Sequence, residues 1–178
     1  MNTMKGWHFL QDDRRFRWGT REIVIPSKTY TAEGPLKMCQ NGMHASKRII
    51  DALQYAPGAI VCRVILEGEL IHDSDKSVGR KRTVLWMLDA TNILHEFACR
   101  CAESALKSID DPDPRSFAAI KAKRDWLKGK ITNKELSVAR DAAWDAAWDA
   151  ARAAAWNAAW DKQNRVLTAM VVVHHRKL

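Results

Sequence analysis

A chain of 178 residues with 47% hydrophobic, 28% charged and 8% aromatic residues can bury a core, which excludes a disordered or collagen-like chain. Its 29 Lys and Arg against 21 Asp and Glu leave a net charge of +8. No apolar run approaches the roughly 20 residues of a membrane span, and Met1-Asn2-Thr3-Met4-Lys5-Gly6 lacks the apolar stretch of a signal peptide, so the expected location is the cytoplasm.

In chain order, Gly6 to Leu10 reads as a short apolar strand. Glu22 to Ile25 and Lys28 to Thr31 read as two more, with the Pro26-Ser27 turn between them. Leu36 to Cys39 leads into a turn at Asn41-Gly42. Ser46 stands where it would N-cap a short helix carrying Ile49, Ile50 and Leu53, and Pro57 stops that helix near Tyr55. Ala59 to Leu66 is a nearly continuous apolar run, expected as a central strand. Asp73 to Arg82 reads as a polar loop. Thr83 to about Ser108 reads as a helix with Leu85, Leu88, Leu94, Phe97 and Cys101 inward, interrupted near Asp89-Ala90-Thr91. After a hinge at Ile109 to Pro114, Pro114 opens a helix that Gly129 ends. Thr132-Asn133-Lys134-Glu135 is a capping box and opens the last helix. The predicted fold is α+β: a mostly antiparallel sheet with crossing helices over 1–108, then a helical hairpin rich in Ala and Trp over 109–178.

The last helix carries a tetrapeptide repeat, DAAW-DAAW-DAAR-AAAW-NAAW, from Asp141. Trp144, Trp148, Trp156 and Trp160 form one row, which slips about 40° around the helix at each step of four. The row is either core or a self-association stripe through which the chain forms a homo-oligomer. Asp141, Asp145 and Asp149 beside it disfavour a phosphate backbone there.

Cys39, Cys62, Cys99 and Cys101 make no disulfide framework, and the Cys and His spacings fit no zinc motif, so no metal is expected. Basic residues cluster at Arg14, Arg15 and Arg17 with Arg21, at Arg80, Lys81 and Arg82, and from Lys121 to Lys130. They are either a solvated surface or a face for an anionic partner, where Trp18 beside Arg17 would stack a base. No Walker loop, G-x-S-x-G, H-E-x-x-H or G-x-G-x-x-G motif is present. The segment Cys39-Gln40-Asn41-Gly42-Met43-His44-Ala45-Ser46 invites two readings. It is an anion-binding corner at a helix start, or Gly42 makes a turn and His44 satisfies a backbone carbonyl.

With that segment, Asp51-Ala52-Leu53-Gln54-Tyr55, the Ala59 to Leu66 strand and Asp75-Lys76-Ser77-Val78, the stretch from Gly6 to about Ala102 resembles an uncharacterised family of phage and bacterial proteins. That family is marked by a C-x-x-G-[FLM]-H-[AS]-[SC] core and often carries an Ala/Trp tetrapeptide tail. More distantly the order of residues resembles ADP-ribosyltransferases of the poly(ADP-ribose) polymerase type. His8 lies in the first strand, Gly42 follows 34 residues later, and Tyr55 stands 13 beyond Gly42. This resemblance implies NAD or a related nucleotide held by His8, Gly42, His44, Ser46 and Tyr55. His8 would bond the ribose hydroxyls, and Tyr55 would stack on the nicotinamide. Ala52 departs from the Ser of that pattern, and the late Glu-Tyr strand with the catalytic Glu is not recognisable.

Two functions follow. One is a phage-type, non-catalytic binding protein, a host-takeover or counter-defence factor in the host cytoplasm. It would engage a host or defence protein or a nucleic acid through Arg14, Arg15, Arg17, Arg80, Lys81 and Arg82 and through the Trp-rich helix. The other is an ADP-ribosyltransferase-like enzyme or nucleotide binder.

Overall fold

The computed structural model describes residues 2–17, 21–150 and 156–177, and leaves the side chains of 142–160 outside the description. Five strands and five helices follow in order: β1 (Thr3–Leu10), β2 (Thr29–Thr31), β3 (Met43–Ala45), α1 (Ile49–Leu53), β4 (Ile60–His72), β5 (Ser77–Asp89), α2 (Thr91–Leu106), α3 (Pro114–Leu127), α4 (Asn133–Ala150) and α5 (Trp156–His175). The class is α+β with an antiparallel sheet, as the sequence predicts. By contact the chain divides into two compact units, Met1–Thr91 with Leu167–Leu178, and Asn92–Val166. Among the described residues, no helix is long and apolar enough to cross a membrane.

In the first unit the sheet order is β1-β4-β5-β2, and β3 pairs with β5 beyond β2, at Ser77 to Gly79. Trp7 and Ser46 exchange both backbone hydrogen bonds, at 2.7 and 3.0 Å, so the end of β3 is tied back to β1 and the sheet curls round. Gly6 permits that approach: a Cβ there would stand 2.9 Å from the Ser46 carbonyl oxygen. Antiparallel partners share a face. Met4, His8 and Leu10 therefore line the inner face beside Leu66, Cys62 and Ile60. That face is the hydrophobic core, completed by Val64, Val84, Ala45, Tyr30 and Val24. On the outer face the Arg63 guanidinium lies 4.4 Å over the Trp7 ring, and Trp7 meets Trp86 edge-on at 5.8 Å. His175 stacks on Trp86 at 4.0 Å.

Two local expectations are corrected. Asp73 to Arg82 is not a loop and Thr83 to Asp89 is not helix: after a turn closed by Asp73 N–H to Lys76 C=O, β5 runs through Ser77–Asp89. The reason is tertiary pairing with β4, which overrides the helical spacing of Leu85 and Leu88. The interruption at Asp89-Ala90-Thr91 is the boundary between strand and helix, where the Asp89 carboxylate accepts from the N–H and hydroxyl of Thr91 at 2.8 and 2.6 Å. Nor does Ser46 cap α1. Arg48 holds the N-cap position without a side-chain capping hydrogen bond, because Ser46 is buried in its pairing with Trp7.

In the second unit the predicted signals hold. Asp113 caps α3 with Pro at its start, and Gly129 follows its end at φ 68°. The Glu135 carboxylate accepts from the Thr132 N–H at 2.8 Å, while Thr132 Oγ1 accepts from the Glu135 N–H at 3.3 Å. Arg124 joins α3 to α2 through Glu96 and Glu103, each at 3.0 Å.

Candidate functional site

Of the two readings of the Cys39–Ser46 segment, the bonds made by its imidazole match the second. His44 Nε2 accepts the Cys39 N–H at 3.0 Å, and Nδ1 meets the Gly42 carbonyl at 3.1 Å. A nitrogen that accepts an N–H carries no proton, so Nδ1 is the donor and the ring is neutral. Burial also lowers the His44 pKa. Cys39 sits in the left-handed region at φ 62°, and the ring secures that strained turn. Gly42, at φ 125°, leaves no room for a side chain, since a Cβ would run into the Val78 methyl. Gly42 and His44 thus build the turn that delivers β3.

Three quoted motif pieces meet beside this turn. The Tyr55 hydroxyl donates to Asp75 Oδ2 at 2.5 Å, and Lys76 Nζ lies 3.2 Å from the same hydroxyl. Tyr55, and next the Cys39 thiol, raise the Lys76 pKa above the ordinary ammonium range, while the bond to Asp75 raises that of Tyr55. Tyr55 is 46% exposed. Sequence reasoning gave Asp75 and Lys76 no role; the Asp-Lys pair of the quoted motif was the available signal.

His8 and Arg82 lie elsewhere, inside the curled sheet. Arg82, opposite Leu66 and Tyr30, is 3% exposed, and its Nη1 donates to the His44 carbonyl at 2.8 Å. Burial pulls the Arg82 guanidinium down to about 10. Burial first, then the charge of Arg82, holds His8 well below the usual imidazole range. The five residues expected to hold a nucleotide therefore occupy different settings: His8 on the inner face, Gly42 and His44 in the turn, Ser46 buried in backbone pairing, and Tyr55 exposed.

The expected basic face is divided by the strand. Arg80, Lys81 and Arg82 alternate along β5, so Arg82 points inward while Lys81 is exposed. Arg80 binds Glu69 at 2.9 Å and the Ala32 carbonyl at 3.0 Å. Arg14, Arg15, Arg17 and Arg21 stay together on a hairpin closed by Val24 N–H to Arg14 C=O at 2.9 Å and Phe16 N–H to Glu22 C=O at 3.0 Å. Arg14, Arg17 and Arg21 are exposed, and Phe16 fixes the hairpin edge-on against Tyr30 at 4.9 Å. Trp18 lies outside the described residues, and Trp144, Trp148, Trp156 and Trp160 fall where side chains are not described.

A family model, a domain of unknown function (DUF7666), matches residues 4–96, just over half of the chain. No curated protein and no solved structure matches.

Proposed function

The chain belongs to the DUF7666 family, and we propose that it is a non-catalytic module that binds nucleic acid through its arginine hairpin. The supporting observation is the gathering of Arg14, Arg15, Arg17 and Arg21 on one short hairpin that Phe16 anchors to the sheet. Guanidinium groups neutralise phosphates and release counterions, which gives affinity without base chemistry. Used by a phage, such a module takes nucleic acid away from a host or defence factor. Replacing Arg14, Arg17 and Arg21 together with Glu leaves the core untouched, since all three are exposed. The expected result is at least a tenfold loss of affinity for single- or double-stranded DNA or RNA. The slope of log K against log salt should shrink by about 2 to 3, as three phosphate contacts disappear. Binding and slope that survive intact refute the hairpin as the contact, and a protein partner lost in the same variant while nucleic acid never binds points to an acidic protein surface.

The second reading is an ADP-ribosyltransferase-like nucleotide binder, transferase or not, with NAD as ligand. What favours it is the exposed Tyr55 beside the His44 turn, held there by Asp75 and Lys76. Because His44 holds the turn, Tyr55→Ala is the cleaner variant. Saturable calorimetric binding of NAD or ADP-ribose, weakened at least tenfold by Tyr55→Ala, supports this reading; absence of binding in the wild type removes it.

A further inference from the structure

Inside the curled sheet a cation stands without an anion. Arg82 is 3% exposed, and its one strong bond is from Nη1 to the His44 carbonyl at 2.8 Å. Its Nε is buried with no hydrogen-bond partner. The surroundings are the Phe16 ring at 5.5 Å, the Leu66 and Tyr30 positions opposite it and, more distantly, Cys62. Among the described residues no carboxylate pairs with it. A neutral carbonyl does not offset the desolvation of a guanidinium, which is why buried arginines are paired. Arg63, the comparable cation on the outer face, differs in being only half-buried over Trp7.

The same face meets solvent in part at His8. His8 is half-buried, whereas Cys62 opposite it is fully buried. A strand residue that faces the core and still meets water marks an entry to the interior.

We infer that Arg82 and His8 form a binding site for the oxyanion of a small molecule, a carboxylate or a phosphate, which enters the sheet interior beside His8. The Nε–H of a guanidinium donates to such a group, often together with an Nη–H in a two-point bond, and here the Nε–H is unspent. Among the described residues the His8 ring has no hydrogen bond that would have to break, and it offers a ring N–H to the same group. The site stands independently of the hairpin, whose arginines are exposed.

The test is thermal unfolding of the full chain in rising phosphate, and separately in acetate, with sodium chloride holding ionic strength constant. The wild type is compared with Arg82→Met, which keeps the length of the side chain and removes its charge. For the wild type we expect a saturable rise in Tm, reaching about a 100-fold shift of the folding equilibrium at a hundredfold excess over Kd. Arg82→Met should show no such rise. A response to phosphate alone assigns a phosphate ligand, and a response to acetate alone a carboxylate. Equal rises in both proteins, or none in the wild type, overturn the proposal. Should Arg82→Met fail to fold, the ¹⁵N–¹H resonance of Arg82 Nε in the wild type decides: a saturable shift with either anion supports the site, and an unmoved resonance overturns it.

Discussion

His44 has a hydrogen bond on each ring nitrogen, so adding a proton at Nε2 breaks the bond from Cys39 and puts a cation in a half-buried turn. His8, in the sheet interior, resists protonation because of burial and then Arg82, and His95 resists it because of burial and then Lys123. All three stand below the ordinary histidine value of 6.5. Between that value and their folded ones, the unfolded chain binds protons that the native protein does not, so stability falls as pH falls. The contribution is complete above about 6.5 and is lost on acidification toward the folded values. We expect the urea midpoint to be level from pH 8 to 7 and to decline from about 6.5 to 5. His8→Gln should flatten part of that decline. A midpoint that stays level, or rises, over this interval contradicts the buried neutral imidazoles. The pair of hydrogen bonds made by His44 was half legible: the sequence suggested a backbone carbonyl as partner, while the Cys39 N–H became visible only once the left-handed turn was known.

At the scale of elements, local signals told the truth where they were sufficient. Pro114, Gly129 and the Thr132–Glu135 box act within one turn of chain, and each does what its chemistry dictates. β5 shows the opposite case. Its Val84, Leu85 and Leu88 suit a helix face, and Ser77 to Arg82 is polar enough for a loop. What makes this segment a strand is β4, thirteen residues long and continuously paired to it apart from two irregularities. That misreading carried over to the site: in a loop Arg80, Lys81 and Arg82 would share a surface, whereas a strand period of two puts Lys81 on the face opposite Arg80 and Arg82, and of the three only Arg82 is buried. The buried cation was thus hidden by an error of secondary structure. Arg14, Arg15, Arg17 and Arg21 stay together because they are close in sequence, and the hydrogen bonds between Arg14 and Val24 and between Phe16 and Glu22 hold that segment.

For the whole molecule, the feature least accessible to sequence reasoning is the return of the last residues to the first unit. Leu167–Leu178 belong with Met1–Thr91 by contact. Leu167 and Val171 are fully buried, one helical turn apart on α5, and His175 one turn further stacks on Trp86. The apolar face of α5 is readable from this spacing, but no local rule names the strand it covers, since Trp86 and His175 are distant in the chain. Fully burying an aliphatic side chain contributes about 1.5 to 3 kcal/mol, so Leu167 and Val171 together supply about 3 to 6 kcal/mol. That is comparable to the whole stability of a typical domain, about 5 to 15 kcal/mol. Removing 167–178 should therefore strip hydrogen-exchange protection from the amides of β4 and β5, although every strand of the sheet is still present. Leu167→Ala, which keeps the helix, should cost about 2 to 5 kcal/mol in urea unfolding. If instead β4 and β5 keep full protection in the shortened chain, the sheet is stable without its C-terminal cover. Residues 1–91 would then be a sufficient folding unit. The expected loss means that the sheet, with its buried Arg82, forms only after the last turn of chain has been made.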